Sequence, residues 1–209
     1  FALESAKLAV GGQLVAVRGL AGAYDEEYLP LYGRHQAENL ALAVAAVEAL
    51  IGGGSQKIAD DVRTEGFANA TSPGRLQLIG TEPTVIVDAA HNPHGAASLA
   101  AALPEYFDFD EWGVVFGAMG DKDIVGTIEQ LLPITTHLFA TSAESERSAS
   151  EDEVADAAER LGLHPTVHPN IVDATDAARE WAAEGDKRAI VIAGSIVLGG
   201  EAIALARAE

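Results

Sequence analysis

The chain has 209 residues, 48% of them hydrophobic, and its 32 acidic and 13 basic residues give a formal net charge of -19. This composition predicts a globular protein of one large domain, or of one domain plus part of another, and argues against nucleic acid and anionic membranes as partners. The lack of cysteine excludes disulfides and thiolate metal sites, and no apolar run approaches the roughly 20 residues of a membrane span, so we expect a soluble cytoplasmic protein.

The predicted elements of residues 1–72 are a hairpin and two helices. Apolar and polar residues alternate over residues 6–18 around a Gly11-Gly12 turn, and an extended stretch continues to about Tyr32. The apolar positions of this alternation are Leu8, Val10, Leu14 and Ala16. Helical spacing predicts one helix from His35 to Ile51 and a second over about 56–66. The spacing of the first helix is carried by Leu40, Val44, Val47 and Leu50.

Ser72-Pro73-Gly74 is a strong turn signal, and beyond it short apolar strands alternate with longer amphipathic helices. We place a domain boundary there, between residues 1–72 and residues 73–209. The predicted strands are 76–80, 84–88, 112–117, 135–140, 163–168 and 189–193. The predicted helices are 93–104, 123–132, 150–162, 172–185 and 199–207. This alternation predicts an α/β fold with a mostly parallel sheet covered by helices on both faces.

Ligands of such sheets collect beyond the carboxyl ends of the strands, so the segments that follow the strands should share one edge, which we call the rim. These segments are 88–93, 117–123, 141–147 and Gly194-Ser195.

The first candidate site is the corner formed by Asp88 and His91, where a buried strand opens into a helix. Asn92 is suited to cap that helix and Pro93 to begin it, so free N–H groups and the positive end of the helix dipole meet the two side chains. Such a corner favours an anion. The spacing alone is equally consistent with Asp88 and His91 merely capping the turn, and a metal pair is a third interpretation.

Three further segments offer polar groups, each with a structural alternative. Arg75 follows a turn and could fork onto a phosphate at the same rim, or be a solvated charge. Lys122 lies in the glycine-containing segment Gly117 to Asp123, which could admit a ligand or be a flexible loop that caps the next helix. Asn39 lies one turn inside the first helix and could contact an adenine edge or belong to the helix start. No segment has the spacing of a P-loop, a GxSxG elbow or an HExxH helix.

Taken in order, six segments resemble the folate branch of the Mur ligase family across nearly the whole chain. They read YGRHQAENLALAVAAVEAL, SPGRLQLIG, PTVIVDAAHNPHGAASLAAAL, GVVFGAMGDKDI, FATSAESERSA and AGSIVLGGEAIAL. The resemblance implies a three-part ligase, of which residues 1–72 are the end of the central ATP-binding domain and residues 73–209 a Rossmann-like C-terminal domain. On this hypothesis the chain is a fragment that lacks the P-loop and is inactive alone.

The resemblance also implies roles for individual residues. Asn39 matches the position that contacts adenine, and Arg75 matches the arginine that reaches the ATP phosphates. Asp88 and His91 match the catalytic corner that contacts the nucleotide. Binding of glutamate or of an acyl phosphate is implied for three more residues of the rim, Lys122, Arg147 and Ser195.

The implied reaction is ATP-dependent ligation, in which a pteridine carboxylate is phosphorylated and the amine of L-glutamate attacks the acyl phosphate. The expected ligands are ATP with Mg²⁺, L-glutamate, and a folate or dihydropteroate. The complete enzyme is expected to be a monomer, with its magnesium ligands mainly outside this chain. Two alternatives remain open. One is a cell-wall Mur ligase that acts on UDP-muramyl peptides, and the other is a non-catalytic nucleotide- or anion-binding module.

Overall fold

A computed structural model describes residues 1–208. The described residues form two compact units, the first over Phe1–Pro73 and the second from Gly74 onward. None of the helices in residues 1–208 has the length and apolar character that a membrane crossing requires.

The first unit is a three-stranded antiparallel sheet followed by two helices. Its elements are β1 Ala2–Ala9, β2 Gly12–Arg18, β3 Ala23–Leu29, α1 Arg34–Gly52 and α2 Asp60–Ala68. The predicted hairpin is present as β1 and β2, and β3 pairs with the other edge of β2. The buried face of β2 carries Val15 and Val17, whereas Leu8, Val10 and Leu14 of the predicted apolar alternation are exposed.

Polar contacts fix the loop before β3 and the start of α2. Glu48 of α1 is fully buried and accepts the N–H of Ala21 at 3.0 Å and the hydroxyl of Tyr24 at 2.5 Å. The same hydroxyl accepts the N–H of Ile58 at 3.0 Å, and Lys57 donates to the Ala23 carbonyl at 2.7 Å. Because these bonds hold the chain outside a helix up to residue 59, α2 begins four residues later than the spacing predicted.

The second unit is built on a six-stranded sheet of order β4-β5-β9-β6-β7-β8, in which only β4 runs antiparallel to its neighbour. The strands are β4 Gln77–Thr81, β5 Thr84–Val87, β6 Glu111–Phe116, β7 Thr135–Ala140, β8 Thr166–Val167 and β9 Arg188–Ala193. The helices are α3 Pro93–Tyr106, α4 Ile124–Leu131, α5 Glu151–Glu159, α6 Ile171–Ala183 and α7 Ile196–Ala206.

Helices cover both faces of this sheet. Helices α6 and α7 pack on one face, where their residues Ala174, Ala178 and Leu198 join Val115 and Ile190 of the strands in one apolar cluster. Helices α3, α4 and α5 pack side by side, and their buried residues lie outside that cluster, on the other face. The predicted α/β fold with a mostly parallel sheet is confirmed.

Two predicted boundaries in this unit were wrong. Strand β8 has two residues rather than six, because Thr166 and Val167 alone pair with β7. Helix α7 begins at Ile196 rather than at residue 199, since the Ser195 hydroxyl accepts the N–H of Val197 at 3.1 Å and so starts the helix ahead of its two glycines.

Candidate functional site

The segments that follow β5, β6, β7 and β9 are joined by backbone hydrogen bonds into one rim. The bonds run from Asp88 N to Ile192 O at 3.0 Å, Gly117 N to Ala193 O at 3.3 Å, Thr141 N to Phe116 O at 2.9 Å and Gly194 N to Ala90 O at 2.8 Å. The structure therefore brings together the four segments that strand polarity placed at this edge.

Asp88 is the acceptor that shapes the first corner of the rim. Its side chain is buried, with Oδ1 accepting the N–H of Ala90 and Oδ2 accepting the N–H of Leu76, each at 2.9 Å. Both oxygens thus bond to the backbone, which is the turn-capping role weighed from the sequence. A carboxylate held by two N–H donors is fixed in place and can in turn hold its neighbours in place.

The turn that carries Arg75 is bound directly to this corner. Ala89 N donates to Gly74 O at 2.6 Å and Leu76 N donates to the Asp88 carboxylate, so the residues on both sides of Arg75 are bonded to the corner. Leu76 has φ +43°, a conformation uncommon outside glycine, and it is 2% exposed. Asp88 therefore stabilises a strained turn, and the turn places the Arg75 backbone beside the corner.

His91 lies in the segment between β5 and α3. Its Nδ1 lies 2.8 Å from the Ala89 carbonyl oxygen, which can only accept, so Nδ1 carries the proton. This leaves Nε2 with a lone pair in the neutral ring, or with a second N–H in the imidazolium. Asn92 caps α3 by accepting the Gly95 N–H at 2.9 Å, and Pro93 is the first helical residue, as the sequence predicted. The positive end of the α3 dipole thus lies at this corner.

Lys122 and Arg147 share one carboxylate. Lys122 Nζ lies 3.5 Å from Asp121 Oδ2, and Arg147 Nη2 lies 3.2 Å from Asp121 Oδ1. Desolvation raises the pKa of Asp121, but the charges of Lys122 and then Arg147 outweigh it and hold that pKa below its ordinary value. The cluster keeps one net positive charge. It joins two loops of the rim, and nothing in the sequence pattern identified Asp121 as the shared partner.

The remaining predicted residues have structural partners of their own. Ser195 is 1% exposed and its hydroxyl caps α7. Asn39 is exposed on α1 in the first unit, with Nδ2 3.4 Å from Gln36 Oε1. Gly117 is buried, and a side chain there would meet the Thr141 carbonyl oxygen at 2.7 Å. The glycine therefore allows the backbone after β6 to pack closely against the backbone after β7. The ligand roles of Ser195 and Asn39 stay predictions.

No group of three or more His, Cys, Asp or Glu side chains in residues 1–208 is arranged to hold a metal ion. The metal-pair interpretation of Asp88 and His91 therefore has no support from the described residues. The corner offers instead the His91 imidazole and the N-terminal end of α3, groups of the types that hold carboxylates and phosphates, and the Arg75 backbone lies beside it.

The sequence of the second unit matches a known family along most of its length. The family model described as Mur ligase, glutamate ligase domain, matches residues 74–196, more than half of the chain. The chain belongs to the Mur ligase family. This match begins at the residue with which the second unit begins, and it ends within the first turn of α7.

Individual members of the Mur ligase family match both units. The dihydrofolate synthase/folylpolyglutamate synthase of Mycobacterium tuberculosis is 42% identical over 97% of this chain and 44% of its own length. The solved structure of M. tuberculosis folylpolyglutamate synthase complexed with ADP superposes with a TM-score of 0.91 at 39% identity, over 98% of this chain and 47% of that one. The solved structure of Escherichia coli FolC in complex with DHPP and ADP superposes with a TM-score of 0.78 at 25% identity, over 97% of this chain and 45% of that one.

The chain spans about half the length of these relatives. A cell-wall member of the family, the UDP-N-acetylmuramoyl-L-alanyl-D-glutamate–2,6-diaminopimelate ligase of Wolinella succinogenes, is 40% identical over a shorter stretch, 44% of this chain. The match to the folate enzyme of M. tuberculosis therefore extends over more of this chain than the match to that cell-wall enzyme.

Proposed function

We propose that this chain is part of an ATP-dependent ligase that adds L-glutamate to the carboxylate of folates, a folylpolyglutamate synthase that also acts on dihydropteroate. The observation that carries the proposal is the match to the M. tuberculosis enzyme over 97% of the chain, through both units rather than through the family domain alone. ATP, L-glutamate and the pteridine are its proposed substrates, and the complete protein is proposed to be a cytoplasmic monomer.

The proposed chemistry needs groups that hold anions and accept developing charge. ATP transfers its γ-phosphoryl group to the pteridine carboxylate, the glutamate amine attacks the acyl phosphate, and phosphate leaves. Every reactant is anionic, so we assign Arg75 to the phosphates and His91 to the reacting groups, where its Nε2 donates to an oxyanion or takes a proton from the amine. Asp88 contributes by fixing the turn of Arg75 and the start of the corner.

Two further roles belong to the proposal, one in each unit. Asn39 is assigned to the adenine edge, where an amide both donates and accepts. The positive cluster of Lys122 and Arg147, together with the α7 start at Ser195, is assigned to the carboxylates of glutamate or to the acyl phosphate. Domain 1–72 is proposed to be the end of the central ATP-binding domain and domain 73–209 the C-terminal domain.

Mg²⁺ is proposed to bind with ATP, and its ligands are assigned to parts of the protein outside residues 1–208. A Yersinia pestis relative is described as complexed with AMPPNP and Mn ion, which supports use of a divalent cation.

The test is a ligation assay on the complete protein encoded with this chain. We expect ATP-dependent addition of L-glutamate to dihydropteroate and to reduced folates, and no addition of amino acids to UDP-muramyl peptides. Activity only on muramyl substrates would replace the folate proposal with the cell-wall alternative. Nucleotide binding without ligation of either substrate would favour a non-catalytic module.

A further inference from the structure

The loop between β7 and α5, residues 141–150, carries Arg147 and is bound to the loop after β6. Gly120 N donates to Arg147 O at 2.8 Å, and Ala149 N donates to Ala118 O at 2.9 Å. Asp121 pairs with the Arg147 guanidinium. These contacts hold the second half of the loop, on the side where its charged side chain lies.

A side chain of α7 holds the first half of the same loop. Glu201 Oε1 accepts the N–H of Glu144 at 2.8 Å. Ala143, the preceding residue, is 6% exposed and belongs to the apolar cluster beneath α6 and α7. The loop is therefore seated on α7 by one apolar contact region and one hydrogen bond from Glu201.

The placement of Glu201 is costly for an acidic side chain. Its Oε2 is buried and has no hydrogen-bond partner among residues 1–208. Burial raises the pKa of Glu201; the Glu144 N–H opposes this, and the Glu144 carboxylate adds to it. A carboxyl with one buried, unpaired oxygen reduces stability, and such local conflicts concentrate at functional sites. The bond that Glu201 does make is to the backbone of the loop.

We propose that Glu201 is a positioning residue for substrate binding, which holds the β7–α5 loop in the shape that presents Arg147 at the rim. The inference rests on the proposed ligase function, in which Arg147 is assigned to an anionic substrate. Without Glu201 the loop keeps its bonds to residues 118–120 and the bond from Ala143 N to Ser148 Oγ at 3.0 Å. The Glu144 N–H loses its acceptor on α7, so the backbone at Glu144 is held less tightly relative to Arg147.

The kinetic test uses Glu201→Ala in the complete protein. Loss of one positioning hydrogen bond should raise KM for L-glutamate by about fivefold, while kcat and KM for ATP change by less than about twofold. Glu201→Gln keeps an oxygen that can accept from Glu144 N and should retain the KM of the unmodified protein. Glu180→Ala, which removes an exposed acid of α6, is the matched control.

Hydrogen exchange on the 209-residue chain tests the contact itself. We expect faster exchange of the Glu144 amide in Glu201→Ala, and no change in Glu201→Gln or Glu180→Ala. Unchanged exchange of the Glu144 amide in Glu201→Ala would overturn the proposal. Faster exchange would also overturn it if KM for glutamate were unchanged, or if the variant lost only kcat. Absence of ligation by the unmodified complete protein is a separate result, which removes the proposed function and with it the substrate role of the loop.

Discussion

Arg75 lies in the turn that Asp88 holds, and the two side chains contribute in different ways. Asp88 is buried, and both of its oxygens accept backbone N–H groups. The Arg75 side chain is half-buried and forms no hydrogen bond or ion pair with the other described residues 1–208. Replacing Asp88 therefore changes the turn, whereas replacing Arg75 changes the charge offered to a ligand.

This difference predicts separate effects on stability and activity. Asp88→Ala should lower the free energy of unfolding by about 2 to 3 kcal/mol, because two buried N–H groups lose a charged acceptor. Arg75→Ala should change it by less than about 0.5 kcal/mol, yet reduce ligation by the complete protein by about 100-fold, as expected when one donor to a developing anion is removed. Urea unfolding of the 209-residue chain and the ligation assay measure the two effects. Equal stability of the two variants would contradict the division of roles.

Two threonine hydroxyls of the second unit differ in whether they have a partner. Thr127 Oγ1 donates to the Asp123 carbonyl at 2.6 Å, whereas Thr175 Oγ1 is buried without a hydrogen-bond partner in residues 1–208. Thr175 also lines a shallow groove between α6 and α7, with Val172 and Leu205 in its walls.

Substitution by valine should therefore have opposite consequences at the two sites. Thr127→Val loses a hydrogen bond and should cost about 1 kcal/mol. Thr175→Val replaces an unpaired hydroxyl by a methyl group in an apolar wall and should be neutral or stabilising by up to about 1 kcal/mol. Urea midpoints of the two variants check this, and a comparable loss in both would show that Thr175 has a partner after all.

At the scale of elements, the segments of the rim pack closely because strands β6 and β9 are each followed by a glycine. Gly194 has φ +104°, and a side chain there would meet the Gly117 carbonyl oxygen at 2.5 Å. Gly194→Ala combines backbone strain with a clash against backbone, so it should cost about 3 kcal/mol or more. Gly200→Ala in α7 meets no atom within 4 Å and should stabilise by about 0.5 to 1 kcal/mol. Thermal unfolding of both variants is the measurement, and tolerance of alanine at Gly194 would refute the close packing.

Periodicity and turn residues predicted nearly all of these elements, since alternating strands and helices leave few arrangements other than a covered parallel sheet. The buried face of β2 was not predictable in this way, because apolar residues lie on both of its faces. The early start of α7 depends on a cap that outweighs two glycines. The contacts of Arg147 with Asp121 and of Glu201 with Glu144 join residues that are distant in sequence, so only the fold reveals them.

At the scale of the whole molecule, a net charge of -19 repels anionic substrates at long range. Salt limits that repulsion to about 8 Å at physiological ionic strength, whereas a substrate at the rim meets its donors within hydrogen-bond distance. The few cations of the rim can therefore decide binding in an acidic protein.

Buried ionisable groups should make the two units respond to acid at different pH. In the second unit, His137 and His168 both contact Thr166 Oγ1, at 3.2 and 2.9 Å. Desolvation lowers the pKa of both below the ordinary 6.5; His168 lowers that of His137 further, and Asp173 opposes the shift of His168. In the first unit, burial raises the pKa of Glu48, but the Tyr24 hydroxyl, two backbone N–H groups and Lys57 outweigh it and hold that pKa below the ordinary 4.5.

Acid should reduce the stability of both units, but over different pH ranges. A histidine with a lowered pKa binds protons more readily in the unfolded chain, so stability of the second unit should fall as pH drops below 6.5. The contribution of Glu48 is present above 4.5 and is lost only as pH falls through its lowered pKa. Both tryptophans, Trp112 and Trp181, lie in the second unit, so their fluorescence in urea reports that unit alone.

We therefore expect the tryptophan-monitored urea midpoint to decrease between pH 7.5 and 5.5, while exchange of the Ala21 amide, which is bonded to Glu48, stays slow over that range. His137→Phe, placed beside Phe139 at a ring distance of 4.5 Å, should flatten the decrease because it removes one titrating ring and keeps an aromatic contact. A decrease of the same size in His137→Phe would assign the acid sensitivity to other groups. Loss of Ala21 protection in step with the tryptophan signal would show that the two units unfold together.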